Sequence, residues 1–319
     1  MPHSHHSHSG QFCRHAKGTL EDVLKAAINQ KFRVFGISEH VPRYRKVDLY
    51  PEEDGLEIEE LSDTFEKYFD EAHRLKKAYS QEISILVGLE TEFITQLDLE
   101  HLSSAIQRHG CVIDYLVGSI HHVNGIPIDF DRVTYDRAVA SFASASNSSS
   151  TPDILDRFYE AYFDAQVELM EKFHPEIIGH FDLCRLYEPS IQFRSRPNIW
   201  SKIERNVTFG ISYGALFELN AAAFRKGWRT PYPGEDIFEL IRHKGGRFAL
   251  SDDSHGPLVV GQNYDRLFRF LREVGLQEIW YLKQSDRENV GGRRVEAIKM
   301  TGDEWLNDEF WNFAAGTSE

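Results

Sequence analysis

Along the chain, short apolar runs alternate with longer stretches in which apolar residues recur every three to four positions. TLEDVLKAAINQKF sets Leu20, Val23, Leu24, Ala27 and Ile28 at helical spacing, behind a weak capping box of Thr19 and Asp22. RVFGIS then reads as a short buried strand. The same alternation recurs: a helix over IEELSDTFEKYFDEAHRLKKAYS precedes the strand ISILVGLE, and LDLEHLSSAIQRHG precedes DYLVGSIHH. DILDRFYEAYFDAQVELMEKF precedes EIIGHF, WSKIERNVTFG precedes ALFELN, and EDIFELIRHKGG precedes RFALSDDSH. A last helix, YDRLFRFLREVG, leads into EIWYL, a candidate further strand.

Strands alternating with helices predict an α/β fold with a parallel sheet. Seven or eight such units in one chain predict a β/α barrel. An open doubly wound sheet is the alternative, but no glycine-rich phosphate loop follows the first strand. SFASASNSSSTP, residues 141–152, breaks the rhythm. It is small, polar and low in complexity, so it is expected to be a surface insertion within one domain spanning residues 1–319.

The 319 residues are 41% hydrophobic, enough for a sizeable core. The net charge of -14 comes with no basic stripe, which argues against nucleic acid as a partner. It also means that any site for an anion must carry its own local positive charge. Cys13, Cys111 and Cys184 match no zinc or disulfide framework and suggest a reducing compartment. No apolar run reaches the ~18 residues that span a membrane, so a soluble cytoplasmic protein is expected.

The strand ends carry the chemistry. They present His40, Glu90, His121 with His122, His180, Asn220, and the group Asp252, Asp253 and His255. In a β/α barrel these ends share one mouth, where catalysis takes place. One histidine there is commonly structural, but metal-ligand types at five strand ends are not coincidence. The opening MPHSHHSHSGQFCRHA fits the same pattern. A cloning tag is an unbroken histidine run with a linker, whereas here serine interleaves the histidines and a helix follows at once. Histidines with carboxylates suit zinc, manganese or iron, and their number suits two or three ions. Multinuclear sites of this kind commonly hydrolyse phosphate esters.

HSHS and FCRHA, then ISEH, GLE, GSIHH, IIGHFDL, FELN and SDDSH, occur in the order that marks the polymerase-and-histidinol-phosphatase (PHP) superfamily. The chain most resembles its histidinol-phosphate phosphatase branch, fungal type, from His6 to about residue 275. The resemblance implies a distorted seven-stranded, TIM-like β/α barrel. It also implies a trinuclear metal site held by His6, His8, His15, His40, Glu90, His121, His180, Asp253 and His255. By the family's pattern, His6, His8, Glu90 and Asp253 share one ion. Glu90, His121 and His180 take the second, and His15, His40 and His255 the third. His3 and His5 are left as outer residues, and Asp252 as the lesser of the two aspartates.

The resemblance further implies that Arg185 and Arg225 grip the substrate phosphate, with Lys226 and Arg229 as rival cations. Asp253 and His255 are the catalytic candidates beside them, His255 as one source of the leaving-group proton. His122 and Asn220 are candidate substrate contacts, although strand alternation would turn His122 away from His121. Glu92, two residues after Glu90, could face inward and meet a cationic part of the substrate, but reads first as a solvated carboxylate. Histidines 73, 101, 109, 174 and 243 belong to helices or their ends and read as ordinary. The implied activity is hydrolysis of histidinol phosphate, a small phosphate monoester. A nucleotide- or sugar-phosphate-cleaving relative and a non-catalytic metal binder are the alternatives.

Overall fold

The computed structural model describes residues 2–143 and 151–311. Most of the serine-rich segment expected at 141–152 lies outside the described residues. The central sheet has seven strands, all parallel and ordered as they occur in the chain: β1 (His3–Ser4), β2 (Val34–His40), β3 (Ser84–Glu90), β4 (Tyr115–Gly118), β5 (Ile177–Ile178), β6 (Leu216–Asn220) and β7 (Arg247–Ser251). Helices such as Leu20–Asn29, Ile58–Ala78 and Pro197–Tyr213 connect them. The capping box read at Thr19 forms, with the Asp22 amide donating to Thr19 Oγ1 at 3.1 Å. No described helix is long and apolar enough to cross a membrane.

The barrel is nearly closed, and its closure is irregular. β1 and β7 form no ladder. Instead Ser7–His8 pairs in parallel with Ser254–His255, and the Leu250 amide donates to His3 Nε2 at 2.9 Å. Ser4 Oγ donates to Asp252 Oδ1 at 2.6 Å across the same seam. The distortion expected of the barrel therefore sits where the opening residues join the last strand.

The interior explains two glycines and corrects two histidines. Tyr115 fills the barrel and donates its hydroxyl to the His5 carbonyl at 2.8 Å. A Cβ on Gly36 or Gly88 would fall 2.2 or 2.4 Å from Tyr115 atoms, so only glycine admits that ring. His3 and His5 are fully buried inside the barrel. Far from lying outside, they accept backbone hydrogen bonds that no apolar side chain could satisfy.

EIWYL belongs to strand β8 (Glu278–Gln284), but that strand does not join the barrel. It forms an antiparallel hairpin with β9 (Val295–Thr301). Leu282 and Val295 pack on Val34, Leu86, Val117, Ile177, Leu216 and Ala249, the apolar floor of the barrel. The hairpin thus plugs the end opposite the mouth, and the Leu282 amide donates to His5 Nε2 at 3.0 Å.

Candidate metal centre and active-site cavity

Glu90 ends β3 and is buried at the centre of the mouth. Its Oε1 lies 3.0 Å from His6 Nε2 and 3.1 Å from Nε2 of both His121 and His180. Its Oε2 lies 3.2 Å from His8 Nε2 and 3.0 Å from His40 Nδ1. Asp253 Oδ1 stands 3.6 Å from His6, 3.7 Å from His8 and 3.6 Å from His255. Asp253 takes φ 48°, a left-handed conformation that aspartate tolerates. The adjacent Asp252 turns instead to Ser4 and to the Gly261 amide.

The donor set fits metal ions. His6 Nε2, His8 Nε2 and both ring nitrogens of His40 are buried without a hydrogen-bond partner among the described residues, although a Glu90 oxygen lies close to the first two and to His40 Nδ1. Atoms that converge without hydrogen-bond geometry are placed to share a cation. The groups within ligating reach are His6, His8 and Glu90; His6, His180 and Asp253; His8, Asp253 and His255; Glu90, His121 and His180; and Cys13, His15, His40 and His255. The nine ligand candidates read from the sequence are thus brought together, and Cys13 joins the outermost group. Nothing but its place beside His15 in FCRHA could have signalled it.

Protonation divides the ligand candidates into two sets. Burial alone would raise Glu90, but His6, His121 and His40 hold it well below the usual carboxylate range. Asp253 is likewise held low against burial, first by His6 and then by His255. Burial, with His8 nearby, pushes His255 down to about 3, leaving a neutral imidazole. Ionised carboxylate and neutral imidazole are the forms that bind metals; His6, His8 and His121 are held, against burial, above the ordinary imidazole pKa, first by Glu90, Glu39 and Glu92 respectively, so a cation would displace their protons.

Three buried carboxylates stand behind these ligands: Glu218 and Glu39, which sequence reasoning missed, and Glu92, which it had singled out. Glu218 Oε1 meets His6 Nδ1 at 2.8 Å, and its Oε2 accepts from the His180 amide at 2.7 Å. An ionised carboxylate only accepts, so the proton sits on Nδ1 and Nε2 is left free to ligate. Glu39 Oε2 lies 3.7 Å from His8 Nδ1, while its Oε1 accepts from the Ser9 amide and hydroxyl. Glu92 Oε1 lies 3.1 Å from His121 Nδ1 and 3.2 Å from His122 Nδ1. The available signal was an acidic residue inside or just after an apolar strand: FELN, ISEH and LETE.

Several expectations are corrected here. Glu92 is fully buried rather than solvated. His122 does not face away from His121, because β4 stops at Gly118 and both imidazoles turn to the same carboxylate. Neither His122 nor Asn220 lines the cavity. Asn220 Nδ2 donates to Glu218 at 3.0 Å and lies 3.4 Å from Asp253, so it positions carboxylates instead of meeting substrate.

The mouth opens into a cavity of about 310 Å³. His15, His40, Glu90, His121, His180, Asp253 and His255 line its metal side, and Arg225 with Lys226 its wall. Arg185 does not reach it. Its guanidinium is buried against Asp182 at 2.6 Å and Asp236 at 2.7 Å, over the rings of Phe193 and Trp228. The phosphate clamp expected there is therefore a strut. Arg185→Ala should leave two carboxylates unpaired and cost about 3–5 kcal/mol. Thermal melting checks this, and an unchanged midpoint would contradict it.

A family model described as the PHP domain matches residues 4–222. A Schizosaccharomyces pombe protein named "Probable histidinol-phosphatase" is 41% identical over 100% of this chain and 98% of its own. A Saccharomyces cerevisiae histidinol-phosphatase is 31% identical over 97% of this chain and 99% of its own. The solved structure of a Lactococcus lactis histidinol phosphate phosphatase, complexed with zinc, L-histidinol and phosphate, matches with a TM-score of 0.60 at 16% identity. It covers 92% of this chain and 98% of that one.

Proposed function

The chain belongs to the PHP-domain family, and on that premise we propose that it hydrolyses L-histidinol phosphate to L-histidinol and phosphate, a step of histidine biosynthesis. The observation that carries the reading is Glu90, a buried carboxylate shared by five histidines at the floor of a cavity with Arg225 in its wall. The clusters suit two or three divalent ions, zinc, manganese or iron. Bound there, they would supply Lewis acidity, lowering the pKa of water and offsetting charge on the phosphoryl oxygens.

The chain's own residues do the rest. Glu218 and Glu92 hold His6 and His121 in fixed orientations, so little reorganisation of these two accompanies the reaction. His255, held neutral by burial and grouped with the metal-ligand candidates, is placed to ligate, so the proton for the leaving oxygen would come from water in the cavity. Arg225 offers its guanidinium fork to the phosphate. The substrate is a small molecule in the cytoplasm, with neither nucleic acid nor membrane as partner.

A phosphate-release screen over histidinol phosphate, nucleoside monophosphates and sugar phosphates tests this. A clear preference for a nucleotide would redirect the reading. Arg225→Ala should lower kcat/KM roughly ten- to a hundredfold, the effect of one lost charge-assisted bond. Because the Arg225 side chain is exposed, melting should barely change. Arg225→Lys should recover part of the loss, since it keeps the charge without the fork.

A further inference from the structure

The cavity is not uniformly built for an anion. Next to the cationic wall it carries Asp129, Glu52, Tyr50 and Phe130. Asp129 is half-buried, and among the described residues it makes neither a hydrogen bond nor an ion pair. Its place is fixed by the chain: the preceding Ile128 amide donates to the His121 carbonyl at 2.9 Å, tying this loop to a metal-ligand candidate. A carboxylate kept in a cavity without a partner, where a phosphate would be repelled, is placed for a cation.

The second observation is independent of charge. Phe130 is 42% exposed, one of few large apolar side chains left open to solvent. It stacks on Tyr50 with centroids 6.4 Å apart and planes 22° from parallel. Tyr50 is itself held by Arg43, whose guanidinium lies 5.0 Å from the ring and pairs with Glu53. An open ring face at the rim of a cavity suits a flat aromatic group.

We propose that Asp129, together with the Tyr50 and Phe130 rings, forms the subsite that selects the cationic, ring-bearing end of the substrate. The inference rests on the function proposed above. It assigns the ammonium group of an amino alcohol to Asp129 and its imidazole to the rings, while Arg225 and the metal side hold the phosphate. Glu52, at the exposed edge of the same wall, adds negative potential without a defined contact. Selectivity then comes from two walls of opposite sign within one cavity, and a phosphate ester lacking the cation loses one of them.

The test compares L-histidinol phosphate with glycerol 2-phosphate, which carries neither cation nor ring, using the metal-loaded enzyme and its Asp129→Asn and Phe130→Ala variants. The wild-type preference for histidinol phosphate, read as the ratio of kcat/KM values, should fall about tenfold in Asp129→Asn, chiefly through KM. Phe130→Ala should lower the same ratio, and it carries the test if Asp129→Asn does not fold. L-Histidinol should inhibit Asp129→Asn less than the wild type. An unchanged ratio in the variants overturns the inference, as does an equal loss on both substrates. A wild type that does not hydrolyse histidinol phosphate overturns the function itself, which is a separate outcome.

Discussion

Glu90→Gln should reduce histidinol phosphate hydrolysis by roughly 10²–10³ or more, the range seen when one preorganised electrostatic group is removed. Size is conserved, so packing is not at issue. What disappears is one negative charge at a point where five imidazoles converge. Glutamine can turn only one oxygen to that point and must also place an amide among ring nitrogens. Metal content should therefore fall with activity. A ligand that binds only the folded state stabilises it by an amount that grows with the logarithm of its affinity, so a chelator should lower the melting point of the wild type more than that of Glu90→Gln. Normal metal content with normal turnover would remove Glu90 from the centre of the site. Full activity of chelated wild type would remove metal from the mechanism.

The parts of the site that were legible in the sequence were those fixed by topology. Parallel strands share one mouth, so residue types at strand ends converge whatever the tertiary detail. That is why His40, Glu90, His180 and Asp253 could be grouped without a structure. Partnership across the mouth was not legible. Arg185 follows the IIGHFDL strand end as the resemblance requires, yet its direction is decided by Asp182 and by Asp236, a residue 51 positions further on. Glu218 and Glu39 looked like ordinary strand residues because their value lies in the imidazole each one meets. Strand length misled at His122. An unbroken strand through GSIHH would alternate the two histidines, but the strand ends early and a short turn pairs His122 with Pro127.

His5→Ala should destabilise the protein by roughly 2–4 kcal/mol, contrary to the mild effect that its place outside the motif suggests. The imidazole is fully buried, and its Nε2 is the acceptor for the Leu282 amide of the hairpin that plugs the barrel. Alanine would strand that amide and leave a void beside Tyr115, whose ring lies 5.8 Å away. His5→Gln, which can still accept, should lose less. The pH dependence carries a sign. Burial, with His3 beside it, holds His5 well below its ordinary pKa, so in the fold it stays neutral. As the pH falls below about 6.5, the unfolded chain takes up a proton that folded His5 refuses, and stability falls. His5→Gln should therefore flatten the loss of melting temperature between neutral and mildly acidic pH. Removing residues 1–8 deletes β1 and both interior histidines as well as His6 and His8, so it should abolish folding together with activity. A truncated protein that melted at the wild-type temperature, or a His5→Ala variant with an unshifted midpoint, would show that the hairpin holds the barrel closed without this hydrogen bond.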